Sequence, residues 1–206
     1  MGRKKADPEI RKMDFIKAAD ELFREQGLDQ TSIKDIASRV GVSHAAFFYY
    51  YKSKNDIFRD VVVYHLGQYE RMAEKMMEDN SLSAIKKLQA VIDLTISQGV
   101  NDSTFLKYLH TEGNSAIHDK YVERQQEIFI PLITKIVEQG IREGTIDLDY
   151  PKETVECIIH VFECLDEVYF KPMDNDQYYR KMRAIETIIS RTLRLKDNTL
   201  IFNIKR

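Results

Sequence analysis

The sequence predicts an all-α protein, with an N-terminal three-helix helix-turn-helix domain and a larger C-terminal helical domain. Apolar residues recur every three or four positions along most of the 206 residues, which is the period of amphipathic helices. Strand-like alternation is scarce, and the chain contains only four prolines. We expect about nine helices, with residues 1–55 as the first domain and residues 56–206 as the second.

The first helix begins with Asp7-Pro8, a capping residue followed by proline in the first turn, and ends at Gly27. Apolar residues at helical spacing predict one buried face for this helix. They are Phe15, Ile16, Ala19, Leu22 and Phe23.

The next segment, SIKDIASRVGVSHAAFFYYYKSK, has the pattern of two short helices that cross over a tight turn. Ser32 caps the first of these helices, and Gly41 accepts the positive φ at which that helix stops. Ser43 then caps the second helix, and Ala37 is small enough to allow a close crossing. The core of this unit is predicted to contain Ile33, Ile36, Ala37, Val40, Phe47 and Tyr51.

Further helices follow the second Ser-x-x-Asp cap, at Ser53 and Asp56. One continues to about residue 78, and others follow residue 80 and surround residues 105–109. A long helix over 115–143 is interrupted by Pro131 and stops at Gly144. Two more helices cover about 151–170 and 175–196, and we expect the apolar tail at 200–204 to pack on the protein.

Composition places the chain among ordinary globular proteins and argues against a wholly basic nucleic-acid binder. Apolar residues make up 43% and charged residues 31% of the chain, and the net charge is −2. Residues 1–55 nevertheless carry 11 basic against 8 acidic side chains, a balance that suits contact with phosphate. No apolar run reaches membrane-spanning length, and MGRKKADPE lacks the apolar core of a signal peptide, so we expect a cytoplasmic protein without membrane contact.

Cys157 and Cys164 have no second pair of cysteines near them, which argues against a disulfide framework and a zinc site. We expect two buried, reduced thiols on one helix face. Glu156, His160 and Glu163 also follow each other at helical spacing and could form a metal-binding face. Because no second such face and no catalytic motif accompanies them, we expect no metal, no cofactor and no enzyme.

The segment 31–54 resembles the TetR family of bacterial transcriptional regulators. The resemblance rests on Thr31-Ser32 before IKDIA, on Gly41-Val42-Ser43, on the aromatic run 47–51 and on Lys52-Ser53-Lys54. It covers about the first quarter of the chain. Ala45 and Ala46 depart from the Gly or Pro and the Thr that are usual in the family, and Phe48 departs from Tyr. Phosphate contacts from hydroxyls at positions 46 and 48 are therefore lost.

Specific duplex recognition needs base-edge contacts from a helix in the major groove and phosphate contacts that fix its position. His44 is the base-reading candidate, with Ala45 and Phe48 as apolar contacts; the alternative for His44 is an exposed residue beside the cap. The resemblance implies phosphate contacts for Tyr50 and Lys54. The predicted DNA-binding residues are Thr31, Ser32, Lys34, Ser43, His44, Ala45, Phe48, Tyr49, Tyr50 and Lys54, with capping the first role of Ser32 and Ser43.

The amino-terminal residues Arg3, Lys4 and Lys5 are either an arm for the minor groove or a solvated basic terminus.

One reader of this size buries too little surface for selectivity, so we expect a homodimer on a two-fold symmetric operator of double-stranded DNA. The family resemblance assigns dimerisation to the last two helices, and the alternative is that their apolar faces form a monomer core. The predicted interface residues are Ile158, Phe162, Leu165, Ile185, Ile189 and Leu193.

Aromatic, methionine and histidine residues in the middle of the chain suit an apolar pocket with polar groups, although such stripes are more often core. They are Met72, Met76, Phe105, Tyr108, His110, His118, Tyr121, Phe129, His160 and Phe162. Eight of these are predicted ligand contacts. His110 is not one of them, and Phe162 is assigned to the dimer interface. The resulting hypothesis is a sequence-specific repressor that a small apolar or amphipathic effector releases from a palindromic operator. The alternative is a DNA-binding regulator without a small-molecule ligand, controlled by protein contacts.

Overall fold

The computed structural model describes residues 7–101, 109–110, 115–170, 173–196 and 199–203. Within these residues the chain forms eight α-helices and no strand, which confirms the all-α prediction. The helices are α1 (Pro8–Gln26), α2 (Ile33–Val40), α3 (His44–Tyr50), α4 (Lys54–Glu78), α5 (Ala84–Asn101), α6 (Ser115–Arg142), α7 (Pro151–Phe170) and α8 (Asn175–Thr192). Two compact units result, one of residues 1–68 and 104–121 and the other of residues 69–103 and 122–206.

Helix α1 begins and ends at the predicted residues. The Asp7 carboxylate accepts a hydrogen bond from the Glu9 backbone N–H at 2.9 Å. Pro8 lies in the first turn, where a backbone N–H would have no acceptor within the helix, so the missing N–H of proline costs nothing. Gly27 follows the last turn with a φ of +84°. The five side chains predicted for its inner face are all buried.

Aromatic rings fill the core of the first unit. Phe15 of α1 is completely buried and meets Phe47 of α3 edge to face, with 5.7 Å between the ring centroids. Tyr51 is also buried, as predicted, and its hydroxyl donates to the carboxylate of Asp60 at 3.1 Å. Burial and this carboxylate raise the pKa of the Tyr51 phenol, so the hydroxyl remains a donor. These rings fix α3 on α1.

The second unit has an aliphatic core built from α5, α6, α7 and α8. Gly140 of α6 allows the Ile146 side chain to pack directly against the helix backbone, because a Cβ at this position would lie 2.5 Å from Cδ1 of Ile146. Lys87 of α5 is buried, and its ammonium donates to the carbonyl of Met77 in the last turn of α4 at 3.2 Å. A cation at the carboxyl end of a helix is favourable because carbonyl groups there lack helical partners.

The residues predicted for the dimer interface lie instead in the core of the single chain. Ile158, Leu165, Ile185, Ile189 and Leu193 are all at most 4% exposed, and Phe162 is half-buried against the same core. The apolar faces of α7 and α8 pack inward on α5 and α6. A second copy of the chain therefore cannot bury the five side chains that are at most 4% exposed, and for these five the prediction is corrected. For Phe162 it stays a prediction.

Two further predictions for the second unit have different outcomes. The carboxyl-terminal tail does pack on the protein, since Leu200 and Phe202 are both buried. Cys157 and Cys164 are free thiols, but both are exposed on the outer face of α7. The prediction that they are buried is wrong, because the inner face of α7 is occupied by Val155, Ile158 and other aliphatic residues.

Candidate nucleic-acid interface

The first turn of α2 is a complete capping box. The Ser32 hydroxyl accepts from the Asp35 backbone N–H at 3.1 Å, and the Asp35 carboxylate accepts from the Ser32 backbone N–H at 2.9 Å. Hydrogen bonds from the Ser32 hydroxyl and backbone lower the pKa of Asp35 below its ordinary value. Capping is thus the role that the structure gives Ser32.

The turn between α2 and α3 depends on Gly41. This residue has a left-handed conformation, with φ +74° and ψ +35°. The Gly41 N–H donates to the Ser38 carbonyl, and the Val42 N–H donates to the Ala37 carbonyl, both at 3.0 Å. These two bonds give acceptor carbonyls in the last turn of α2 their donors. Ser43 then caps α3 by accepting from the Ala46 N–H at 3.3 Å. The chain reverses in few residues and directs α3 across α2.

Helix α3 divides its side chains between the core and solvent. Phe47 is fully buried, whereas His44, Ala45, Phe48 and Tyr49 are exposed. Tyr49 is 80% exposed and Phe48 is 49% exposed, although both are large rings that would gain from burial. Such a face on a short, well-anchored helix suits contact with the edges of bases.

The edges of this surface carry further predicted contacts. Lys34 on α2 is exposed, and Tyr50 is half-buried with its ring 5.4 Å from that of Phe15. Lys52 is also exposed, directly after α3. The sequence prediction did not include Lys52 as a DNA contact, although the Lys52-Ser53-Lys54 run offered that signal. Arg39 on α2 is engaged instead in ion pairs with Glu21 and Glu25 of α1.

Thr31 and Lys54 have partners within the protein that the sequence did not predict. Thr31 is 1% exposed, and its hydroxyl donates to the carbonyl of Gly27 at 2.7 Å. The Lys54 ammonium donates to the carbonyls of Leu28 at 2.6 Å, Thr31 at 3.0 Å and Asp29 at 3.4 Å. An ammonium has three N–H donors, so in this conformation Lys54 anchors the loop before α2. The structure presents neither side chain to a phosphate.

A polar cluster joins α1 to the first half of α4. His65 is 5% exposed, and its Nε2 lies 2.7 Å from Oδ1 of Asp20, which also accepts from Arg24 Nε at 3.0 Å. Burial alone raises the pKa of Asp20, but the hydrogen bonds and charges of His65 and Arg24 outweigh it and lower that pKa below its ordinary value. The ionised carboxylate therefore holds α4 against the helix that supports α3.

Two protein-family models match this sequence. Residues 15–61, which include the helix-turn-helix, match the model of the bacterial regulatory proteins of the tetR family. Residues 99–188 match the model of the tetracyclin repressor-like C-terminal domain. The two matches together cover more than half of the chain. The protein belongs to the TetR family. It is a DNA-binding transcriptional regulator of that family.

The similarity of this TetR-family regulator to known proteins extends over most of its length. The fatty acid metabolism regulator protein of Bacillus subtilis is 28% identical over 177 residues, which are 81% of this chain and 86% of the relative. A transcriptional regulator from Cytophaga hutchinsonii has the same fold, with a TM-score of 0.70, 17% identity and coverage of 91% and 98% of the two chains. The fatty acid degradation regulator of Bacillus halodurans superposes with a TM-score of 0.60 at 20% identity, covering 92% and 97%.

The second unit of this TetR-family regulator contains an apolar cavity of about 20 Å³. Its walls are hydrocarbon side chains from four helices and the tail. They are Leu88, Val91, Ile92, Ile133, Val137, Ile158, Phe162, Ile189, Leu193 and Leu200. This volume is about that of one water molecule, and the side chains of the wall offer water no hydrogen bond.

Among the described residues, none of those predicted to bind an effector lines this cavity. Met72 and His160 are exposed, and His160 Nδ1 lies 3.1 Å from the Glu163 carboxylate. Met76 and Phe129 pack on the core of the second unit. His118 and Tyr121 of the first unit are half-buried, with the His118 ring 4.6 Å from that of His110. Phe105 and Tyr108 lie outside the described residues, as do Arg3, Lys4 and Lys5.

Among the described residues, no group of three or more histidine, cysteine or carboxylate side chains is arranged to hold a metal ion. The face formed by Glu156, His160 and Glu163 therefore contributes a hydrogen-bonded pair and no metal site there. None of the helices within the described ranges combines the length and the hydrophobicity that crossing a bilayer requires.

Proposed function

We propose that this regulator is a dimeric repressor that binds a palindromic operator and leaves it when a small apolar or amphipathic effector binds. The observation that carries the proposal is the exposed face of α3, because two large aromatic rings on a capped and anchored helix face solvent. His44 donates to or accepts from a base edge, Ala45 contacts a thymine methyl group, and Phe48 forms a second apolar contact.

Phosphate contacts fix the position of α3 in the groove. Lys34 and Tyr49 extend from the exposed surface, and Lys52 adds a cation at the end of α3. Tyr50 uses its hydroxyl from a half-buried position, and Ser32 and Ser43 contribute only where their capping bonds allow. Thr31 and Lys54 support the surface from within, because their donors already meet backbone carbonyls.

Dimerisation uses the outer faces of α7 and α8, since the inner faces are occupied by the core. Cys157, His160 and Cys164 follow one exposed stripe of α7, and Tyr179 and Ile188 are 45% and 47% exposed on α8. A single α3 reads few base pairs, so a pair of readers supplies the affinity and selectivity that an operator requires.

Selection of bound duplexes from a randomised library tests this proposal. We expect a palindromic consensus, a complex of two protein chains per duplex, and half-sites about one helical turn apart or a multiple of it. The promoters that carry the consensus then name the regulated genes. A protein that stays monomeric on every duplex, or that binds all sequences equally, would refute it.

A regulator without a small-molecule effector is the second candidate, and the small size of the cavity, about 20 Å³, supports it. The two candidates differ in what an apolar compound does to the protein–operator complex. If no member of a panel of hydrocarbons, fatty acids and fatty amides weakens operator binding, control by protein contacts replaces control by an effector.

A further inference from the structure

The carboxyl-terminal tail forms part of the wall of the apolar cavity of the second unit. Residues 200–202 alternate as in an extended strand: Leu200 lines the cavity, Ile201 is 46% exposed, and Phe202 is 1% exposed. The Phe202 ring stacks on Phe162 with 6.3 Å between centroids, and Phe162 is itself part of the cavity wall. Two tail side chains therefore occupy space that belongs to the same apolar region.

Polar side chains hold this tail from both sides. The Gln89 amide of α5 donates to the Ile201 carbonyl at 2.6 Å and accepts from the Ile201 N–H at 2.9 Å. Glu186 of α8 accepts from the Phe202 N–H at 2.7 Å, and Asp93 of α5 accepts from the Asn203 side chain at 2.8 Å. These bonds lie outside helices and are mostly exposed, so they can exchange with water.

We propose that residues 200–202 are a built-in occupant of the effector site, which opens for a hydrocarbon chain ending in a neutral amide. Departure of the tail adds the volumes of Leu200 and Phe202 to the cavity, and a cavity of about 150 Å³ with such walls already binds benzene. The amide end takes the place of the Ile201 peptide group, because Gln89 offers one donor and one acceptor.

The charges at the rim distinguish an amide from a carboxylate. Glu186 is paired with Arg183 at 2.7 Å, which leaves the charge of Asp93 beside the site. A ligand carboxylate would meet this negative charge and would leave the Gln89 carbonyl without a donor. The link between this site and release of the operator rests on the proposed function, whereas the tail and its ligand do not.

The first test measures binding of N-phenyl-1-naphthylamine, an uncharged dye that fluoresces in apolar sites. When the tail-open form is a minor population, apparent affinity rises in proportion to that population. We expect the full chain with Phe202→Ala to bind the dye at least tenfold more tightly than the wild type, because loss of the Phe202 packing favours the tail-open form. Ile201→Ala is the matched control and should match the wild type. Equal affinities in all three proteins would overturn the proposal.

A second variant avoids any change in the core. Gln89→Ala removes two hydrogen bonds to the tail and should raise dye affinity about tenfold, while Gln126→Ala, which removes an exposed glutamine amide of α6, should not. An unchanged affinity in Gln89→Ala would contradict the role of these hydrogen bonds.

The ligand class is tested in the Phe202→Ala protein, where Gln89 remains. Dodecanamide should displace the dye at a roughly tenfold lower concentration than dodecanoate, and addition of Gln89→Ala should abolish this preference. Stronger displacement by dodecanoate would overturn the assignment of an amide. If dodecanamide fills the site but leaves operator affinity unchanged, effector release fails while the tail proposal stands.

Discussion

His44 is the α3 side chain with the most specific expected contact, since a ring nitrogen can pair with one base edge. We predict that His44→Ala relaxes sequence preference at one operator position by about 1–3 kcal/mol and leaves the other positions unchanged. Affinities for duplexes that vary one position at a time provide the measurement. His110→Ala, which removes an exposed histidine that lies outside α3 and outside the proposed dimer face, is the control. An unchanged preference at every position would reject the base-reading role.

Lys54 and Lys52 separate support of the surface from contact with phosphate. Because the Lys54 ammonium holds three carbonyls, Lys54→Ala should lower the free energy of unfolding by about 1–3 kcal/mol. Lys52→Ala should leave stability unchanged, weaken binding to all duplexes alike and flatten the salt dependence. Urea unfolding and binding at several salt concentrations measure both effects. If the Lys54→Ala protein had normal stability and a flattened salt dependence of DNA binding, Lys54 would be assigned to a phosphate contact instead.

Asp20 makes the stability of the first unit depend on pH. Its pKa is lower in the folded protein than the ordinary value of about 4, so its contribution is complete above that value and is lost as pH falls through the lowered pKa. Asp20→Asn should cost about 1–3 kcal/mol at pH 7. The difference from the wild type should shrink as urea unfolding is repeated at progressively lower pH below about 4. A difference that is constant with pH would exclude this carboxylate as its cause.

At the scale of elements, the turn between α2 and α3 depends on one backbone conformation. Gly41 has φ +74°, and no heavy atom of any residue other than Gly41 and its two chain neighbours lies within 4 Å of the position that a Cβ would occupy. A substitution there costs backbone strain alone, about 1–2 kcal/mol for alanine. We predict that Gly41→Ala destabilises the protein by this amount, and Gly41→Asn by less, because asparagine tolerates this conformation. Equal losses would show that another interaction limits the turn.

Local chemistry explains which elements could be predicted from the sequence. Asp7, Ser32, Gly41 and Ser43 act within four residues of themselves, so their types reveal where helices begin and end. Phe47 is predictable for a similar reason, since its spacing from the cap sets its face. The pattern does not reveal that Lys54 reaches the Leu28 carbonyl, because that contact joins residues 26 positions apart.

The faces of α7 and α8 illustrate the second limit. The periodicity of Ile158, Leu165, Ile185 and Ile189 shows that one side of each helix is buried, but a chain's own core and a dimer interface leave the same pattern in sequence. The structure assigns that side to the core. The same ambiguity explains why aromatic and methionine residues did not predict the cavity, whose walls are almost entirely aliphatic.

For the whole molecule, the two cysteines report on dimerisation. Both thiols are exposed in the single chain and lie on the α7 face that the proposed dimer covers, and the chain contains no other cysteine. We predict slow labelling of Cys157 and Cys164 by a thiol reagent at concentrations where the protein is dimeric. Labelling should become rapid on dilution, because dilution shifts the equilibrium toward monomers, in which no partner covers the two thiols.

The control is a Ser38→Cys reporter on α2 in a protein with Cys157→Ser and Cys164→Ser. Ser38 is exposed in the first unit and lies away from α7 in sequence, so its labelling rate should not depend on protein concentration. Rapid labelling of Cys157 and Cys164 at every concentration, in a protein that sedimentation shows to be a dimer, would place the interface elsewhere. The same dimer would then need another surface to hold its two copies of α3 at the spacing of the operator half-sites.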